Sequence, residues 1–225
     1  MEIPFSLKHR LANQSVITGT APEYPLAGIP DMINELKDWC GAKNDGVAVS
    51  YFFRQYALFI SSQFELITQD GCYFSGPWQD LQFGRVQKFG YPLLETHADP
   101  ALYIPIDTDK RFEAFRHVLL EQMEALIQAF RTHVKISPVI LWENVLGSVL
   151  WFYANLEKRN PRRAAEDLEW LTDARNWQPI RKSYVHSLLG NSTLEQAVTR
   201  PLRKTCCLYK ELPDFAVCTF CPAVK

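Results

Sequence analysis

The chain has 225 residues, 47% of them hydrophobic and 13% aromatic, which is enough to bury a substantial core as one large domain or two closely joined subdomains. A formal net charge of −1 with a sequence pI near 6.5 excludes a field over the whole surface that would recruit nucleic acid or an anionic membrane, and leaves only local peripheral membrane contact open. Met1 to Arg10 shows neither a basic start followed by an apolar run nor a small-residue cleavage site, so a cytoplasmic protein with reduced thiols is expected.

Residues 1–29 contain Pro4, Pro22 and Pro25 with weak periodicity and read as an irregular arm. Helices are expected after it. Met32, Ile33, Leu36 and Trp39 recur at helical steps, with Asp31 as N-cap and Gly41 as stop. After the Asn44-Asp45-Gly46 turn, Val47 to Thr68 is apolar and aromatic on several faces and reads as a central helix, interrupted by Arg54. Between Asp70 and Pro105, glycines and prolines separate short pieces such as Cys72-Tyr73-Phe74, Arg85 to Phe89 and Leu102-Tyr103-Ile104, which predict short strands. Lone Cys72 and His97 read there as packing and surface residues, since neither has a partner at metal-ligand spacing.

The second half is more regular. Asp107-Thr108-Asp109 precedes a helical pattern running to about His133, and Ser137-Pro138 opens a long apolar helix to Asn160, ended by Pro161. Glu143 and Asn144 break its apolar run, making it a poor bilayer span and a good core helix. Pro161 to Trp177 predicts a charged helix, and Pro179 starts a short one ending near Gly190. The expected fold is therefore mainly α (α+β): a helical bundle-like core, a small strand-containing region near residues 70–105, and a C-terminal cluster-binding segment. The division is an N-terminal mixed α/β subdomain, 1–105, and a helical subdomain, 106–225, forming one compact unit.

Four of the six cysteines lie in the last twenty residues: Cys206-Cys207, a ten-residue gap, and Cys218-Thr219-Phe220-Cys221. Such a set can hold an iron-sulfur cluster or a structural zinc, or form disulfides, the last disfavoured in a reducing compartment. Cys-x-x-Cys is a common metal half-site because a tight turn brings both thiolates to one metal. Adjacent cysteines splay apart along an extended chain, which favours a two-metal site. No phosphate loop, nucleotide fingerprint or Ser-His-Asp order accompanies them.

The string Arg203-Lys204-Thr205-Cys206-Cys207-Leu208-Tyr209, the gap and Cys218-Thr219-Phe220-Cys221-Pro222 resemble the C-terminal signature of FhuF-type ferric-siderophore reductases, and Leu141-Trp142-Glu143-Asn144 is similar to a further element of that family. The resemblance implies that Cys206, Cys207, Cys218 and Cys221 hold a 2Fe-2S cluster. It also implies one-electron transfer to a ferric siderophore, of hydroxamate type, releasing Fe(II) for iron assimilation. With no nicotinamide or flavin site in the sequence, an external electron donor protein, ferredoxin- or flavoprotein-like, is expected. Arg203 and Tyr209 beside the cysteines are candidates for contacting the chelate through its oxygen donors, or for neutralising and packing the cluster. Leu208, Leu212, Phe215 and Phe220 are expected to exclude water. Two alternatives stay open: an electron-transfer protein with another acceptor, and a zinc-stapled binding module.

Overall fold

The computed structural model describes residues 3–88, 91–199, 202–213, 215, 217, 221 and 222. Its first element departs from expectation. Instead of an irregular arm, Phe5–Asn13 form helix α1 and Val16–Thr18 form strand β1. Pro4 stands at the helix start, where its fixed φ and missing N–H are harmless, and Leu7 and Leu11, one turn apart, bury the inner edge. Two apolar positions are too few to show as a period, which is why the sequence hides this helix.

Helix α2, Ile29–Cys40, buries Met32, Ile33 and Leu36. Gly28 occupies the cap position expected of Asp31, which sits instead in the first turn, where its charge complements the helix dipole. Helix α3, Asp45–Glu65, begins at Asn44, whose side chain accepts the Val47 amide at 3.1 Å. It continues as a π-helical turn, Leu66–Asp70, ended by Gly71 at φ +63°.

The predicted strands are present and form two small sheets. Cys72–Phe74 (β2) pairs antiparallel with Tyr103–Pro105 (β5). Gln82–Lys88 (β3) pairs antiparallel with Tyr91–Ala98 (β4), and β1 adds parallel to the other edge of β4. Phe89, placed in a strand by its sequence, lies outside the described residues. His97 is not the surface residue expected: its ring is buried on β4, with Nδ1 2.7 Å from the Thr20 carbonyl.

Arg111–His117 (α4), a π-helical stretch Val118–Glu124 and Ala125–Arg131 (α5) make one rod. It is followed by α6, Pro138–Arg159, and α7, Pro161–Thr172, the latter capped by the Asn160 side chain. Pro179 does not start the next helix. It lies in the turn before α8, Tyr184–Leu189, which begins where Ser183 Oγ accepts the His186 amide at 2.9 Å. Leu194–Thr199 form a further helix, α9, opened by reciprocal bonds between Thr193 and Gln196.

The fold is mainly α, centred on α3 packed against α6. Phe52, Tyr56 and Phe59 of α3 stack in sequence, their centroids 5.7 and 5.4 Å apart, and Phe130 of α5 closes on Phe52 at 4.9 Å. Helix α6 has the length and composition to cross a membrane, yet 67% of its most apolar window is buried inside the fold. Burial against α3 accounts for its apolar character, and the polar Glu143 and Asn144 point to the site that these two helices support.

Candidate metal centre

Three consecutive residues near the start of α6 tie it to the rest of the molecule. Successive side chains on a helix point about 100° apart, so neighbours reach different partners. Trp142 stacks on Tyr184 with ring centroids 5.0 Å apart and donates through Nε1 to Glu124 at 3.1 Å. Glu143 turns to the cysteine segment, where its carboxylate accepts the Lys204 amide at 3.2 Å, the Thr205 amide at 2.9 Å and the Thr205 hydroxyl at 2.5 Å. Asn144 donates to Ser50 of α3, 2.9 Å to the carbonyl and 2.8 Å to Oγ, and its Oδ1 accepts from Arg203 at 2.7 Å. Ser50 Oγ in turn donates to the Cys207 carbonyl at 2.7 Å.

The backbone of residues 203–207 is thus held from both central helices. Glu143 and Asn144 are buried, and each has its hydrogen-bonding capacity engaged, which is the condition for keeping polar groups in a core. Beyond the cysteine pair the chain is fastened again. Leu208 sits at φ +61°, a left-handed conformation rare for leucine, and its amide points at Cys206 Sγ, 3.4 Å away. Tyr209 stacks on Tyr51 at 5.7 Å, lies under the Arg54 guanidinium at 4.7 Å, and its hydroxyl accepts from Gln55 at 3.2 Å. Burial pushes that hydroxyl up to about 12. Lys43 pairs with Glu211, and Pro213 rests on Gly41 at the end of α2.

Cys221 Sγ comes to 3.8 Å from Cys206 Sγ, and Cys207 beside them is buried. That separation is far beyond the about 2.05 Å of a disulfide. It matches the edge of a tetrahedron with metal–sulfur bonds of about 2.3 Å. The N–H···S contact from Leu208 is the kind of outer support that orients a thiolate ligand. These features fit an iron-sulfur cluster and fit zinc equally. Among the described residues no three His, Cys, Asp or Glu side chains converge on one point, and Cys218, the fourth expected ligand, lies outside them, as does Phe220. Burial raises the Cys206 thiol, opposed by the Leu208 amide, and the nearby Cys221 adds to the rise. Cys40 and Cys72, each buried and pushed up to about 11 by desolvation, are inert core thiols.

Of the two residues named for the chelate, Arg203 is engaged with the protein. Its guanidinium donates to Asn144 and to the Thr205 carbonyl at 3.2 Å, and burial lowers its pKa, partly offset by the nearby cysteine pair. Tyr209 is occupied by its stack and by Gln55. Leu212 is buried and Phe215 packs edge-on against Tyr209 at 5.0 Å, so an apolar wall follows the cysteine pair. Beside Arg203 opens a cavity of about 220 Å³ between α6 and α9, lined among others by Arg54, Asn144, Trp151, Val198 and Leu202. Neither Arg54 nor Trp151 was singled out as a site residue from the sequence, although Arg54 was visible as a charge interrupting an apolar helix.

A family model described as ferric iron reductase FhuF-like transporter matches residues 79–195, just over half of the chain. The chain belongs to the FhuF family. The match to FhuF runs from the turn before β3 to the first residues of α9, so it contains Trp142, Glu143 and Asn144 and stops before the cysteines. Part of the stretch that carries family membership is therefore the helix that grips the cysteine segment, while the segment itself stands on its own geometry. No curated protein matches the chain.

Proposed function

We propose that this FhuF-family chain is a cytoplasmic ferric-siderophore reductase in which Cys206, Cys207, Cys218 and Cys221 hold a 2Fe-2S cluster. The observation that carries the reading is the approach of Cys221 to Cys206 at 3.8 Å, on a loop fastened to α6 by Glu143. When bound, such a cluster supplies one electron at a time, taken from a ferredoxin- or flavoprotein-like donor and given to Fe(III) in the chelate, which becomes Fe(II). Hard oxygen donors hold ferrous iron far more weakly than ferric iron, so the metal leaves and the siderophore survives intact.

The protein's own part is positional and electrostatic. Glu143, Asn144 and Ser50 fix the backbone of the cysteine pair, which limits its rearrangement on electron transfer. Arg203, half-buried beside the thiols, supplies positive charge that favours the more negative, reduced state and so raises the potential. Leu208, Leu212 and Phe215 keep water from that side. A hydroxamate chelate is the acceptor the family resemblance suggests.

The test has two stages. Freshly purified protein should be brown, with sulfide-to-iron charge-transfer bands. A colourless protein carrying one equivalent of zinc means the zinc-stapled module instead. The chemically reduced protein should then be reoxidised stoichiometrically by a ferric trihydroxamate, one electron per iron, with Fe(II) appearing in a ferrous trap. A reduced cluster that no hydroxamate, catecholate or carboxylate chelate reoxidises makes the protein an electron carrier with another acceptor.

A further inference from the structure

The cavity beside Arg203 has a shape and charge of its own. Asn144, Gly147, Ser148 and Trp151, at positions i, i+3, i+4 and i+7 of α6, make one wall. Gly147 leaves it open, since a Cβ there would meet nothing within 4 Å. Trp151 stands at the rim 64% exposed, a large aromatic face in water. Opposite, Arg54 is exposed on α3, and among the described residues no carboxylate pairs with it. Tyr209 holds its guanidinium by a cation–π contact at 4.7 Å and by a hydrogen bond to its hydroxyl, and the exposed side chain keeps its other donors for a ligand. Among the described residues, the charges lining the cavity are Arg54, Arg203 and Glu143. Glu143 directs its carboxylate to the amides and hydroxyl of residues 204 and 205, so the balance facing the cavity is positive.

We propose that this cavity seats an acidic arm of the ferric chelate, so that Arg54 makes the protein prefer an anionic chelate to a cationic one with the same iron centre. The inference rests on the reductase reading and adds the substrate's charge class to it. At about 220 Å³ the cavity is smaller than the roughly 300–1,000 Å³ of sites that engulf a whole ligand, so it takes one arm and leaves the iron outside. Arg203 is common to the cavity wall and the cysteine loop, so an arm bound there keeps the iron on the cysteine side of the molecule. Trp151 covers the methylene stem of the arm, and Arg54 takes its carboxylate as a forked pair.

The test uses one linear trihydroxamate in two forms, with its free terminal ammonium and after N-succinylation, which replaces the cation by a carboxylate. Loaded with redox-inert Ga(III), both are titrated calorimetrically into wild-type protein, Arg54→Gln and Gly147→Leu. Gly147 lines the cavity and a Cβ there starts in open space, so leucine is introduced to crowd the cavity, and circular dichroism checks that each variant is folded. The succinylated chelate should bind wild type at least about threefold more tightly, a modest figure because Arg54 is solvent-exposed. Both variants should lose that preference. Equal affinities in wild type, no binding of either gallium chelate, or a preference that persists in both variants overturns the proposal. The ferric forms, added to reduced protein, separate this from the reading beneath it. Reoxidation by both forms with no charge preference removes the arm site alone, whereas no reoxidation by either form, nor by a catecholate or carboxylate chelate, removes the reductase reading as well.

Discussion

The carboxylate of Glu143 accepts both the amide, at 2.9 Å, and the hydroxyl, at 2.5 Å, of Thr205, the residue immediately before the cysteine pair. A charged side chain buried on the central helix thereby serves as the anchor of a loop sixty residues away. Glu143→Gln keeps the size but puts an amide group against three donors, leaving at least one unsatisfied at a cost of about 1–3 kcal/mol. The loop should loosen while the helices stay. Iron per chain is expected to fall with little change in the far-ultraviolet dichroism, and full iron content in a folded Glu143→Gln would show that the anchor is not needed.

The thiols sort into two groups by position. Serine at Cys206, Cys207, Cys218 or Cys221 should lose or distort the cluster, seen as lost iron and sulfide and a changed visible spectrum. Serine at Cys40 or Cys72 should leave iron content intact and only reduce stability, since each buries a hydroxyl where a thiol was packed. An essential role for either lone cysteine, together with dispensability of one of the four, would falsify the ligand assignment.

The two most apolar stretches of the sequence, around Val47 to Ser62 and Val139 to Leu156, are each interrupted by polar residues, and those interruptions mark the site. Arg54, Glu143 and Asn144 all face the cysteine loop or its neighbouring cavity. A core helix buries a charge such as Glu143, or a polar amide such as Asn144, only where something repays its desolvation, and Arg54 breaks its apolar helix at an exposed position, so all three interruptions could be read from the sequence although their partners could not. The partners lie far apart in sequence, and no periodicity reports a contact such as Ser50 with Asn144. The helices that were missed were short. Helix α1 offers only Leu7 and Leu11 to a pattern search, and α9 has a single turn and a half, although Thr193-Leu194-Glu195-Gln196 carries a capping box that announces it. Strand β4 was obscured by Pro92 near its start, where proline's missing donor argues against a central strand.

Glycines at two positions should respond in opposite ways to the same methyl group. Gly41 has φ +66°, and a Cβ there would lie 2.8 Å from Pro213 Cγ, in the segment that follows the cysteine pair. Gly41→Ala is expected to destabilise by about 1–2 kcal/mol from the left-handed backbone alone, with further loss from displacing Pro213. Gly147, inside α6 with open space around it, should gain about 0.5–1 kcal/mol as alanine from helix propensity. Thermal unfolding of the two variants gives the comparison. A loss no greater than the about 1–2 kcal/mol of the backbone term would mean that Pro213 does not press on the end of α2.

A buried acid on α7 gives the last test, in pH. Asp167 is fully buried, 3.0 Å from the Arg111 guanidinium, and accepts from Thr68 at 2.9 Å and Tyr153 at 3.3 Å. Burial pushes its carboxyl up to about 6, with Arg111 opposing but not cancelling the shift. The folded state then holds this proton more tightly than the unfolded chain, whose aspartate titrates near 3.9. Its contribution to stability is therefore fully present below about pH 4 and is lost as pH rises through about 6, a change of roughly 3 kcal/mol. Asp167→Asn does not titrate, so the other carboxylates cancel when the two proteins are compared at each pH. Urea unfolding at intervals between about pH 4.5 and 7.5 should show wild type losing ground to Asp167→Asn as pH rises. If wild type gains instead, the pairing with Arg111 outweighs desolvation, and the cluster of Arg111, Asp167, Thr68 and Tyr153 is an ordinary stabilising ion pair rather than an acid kept protonated by burial.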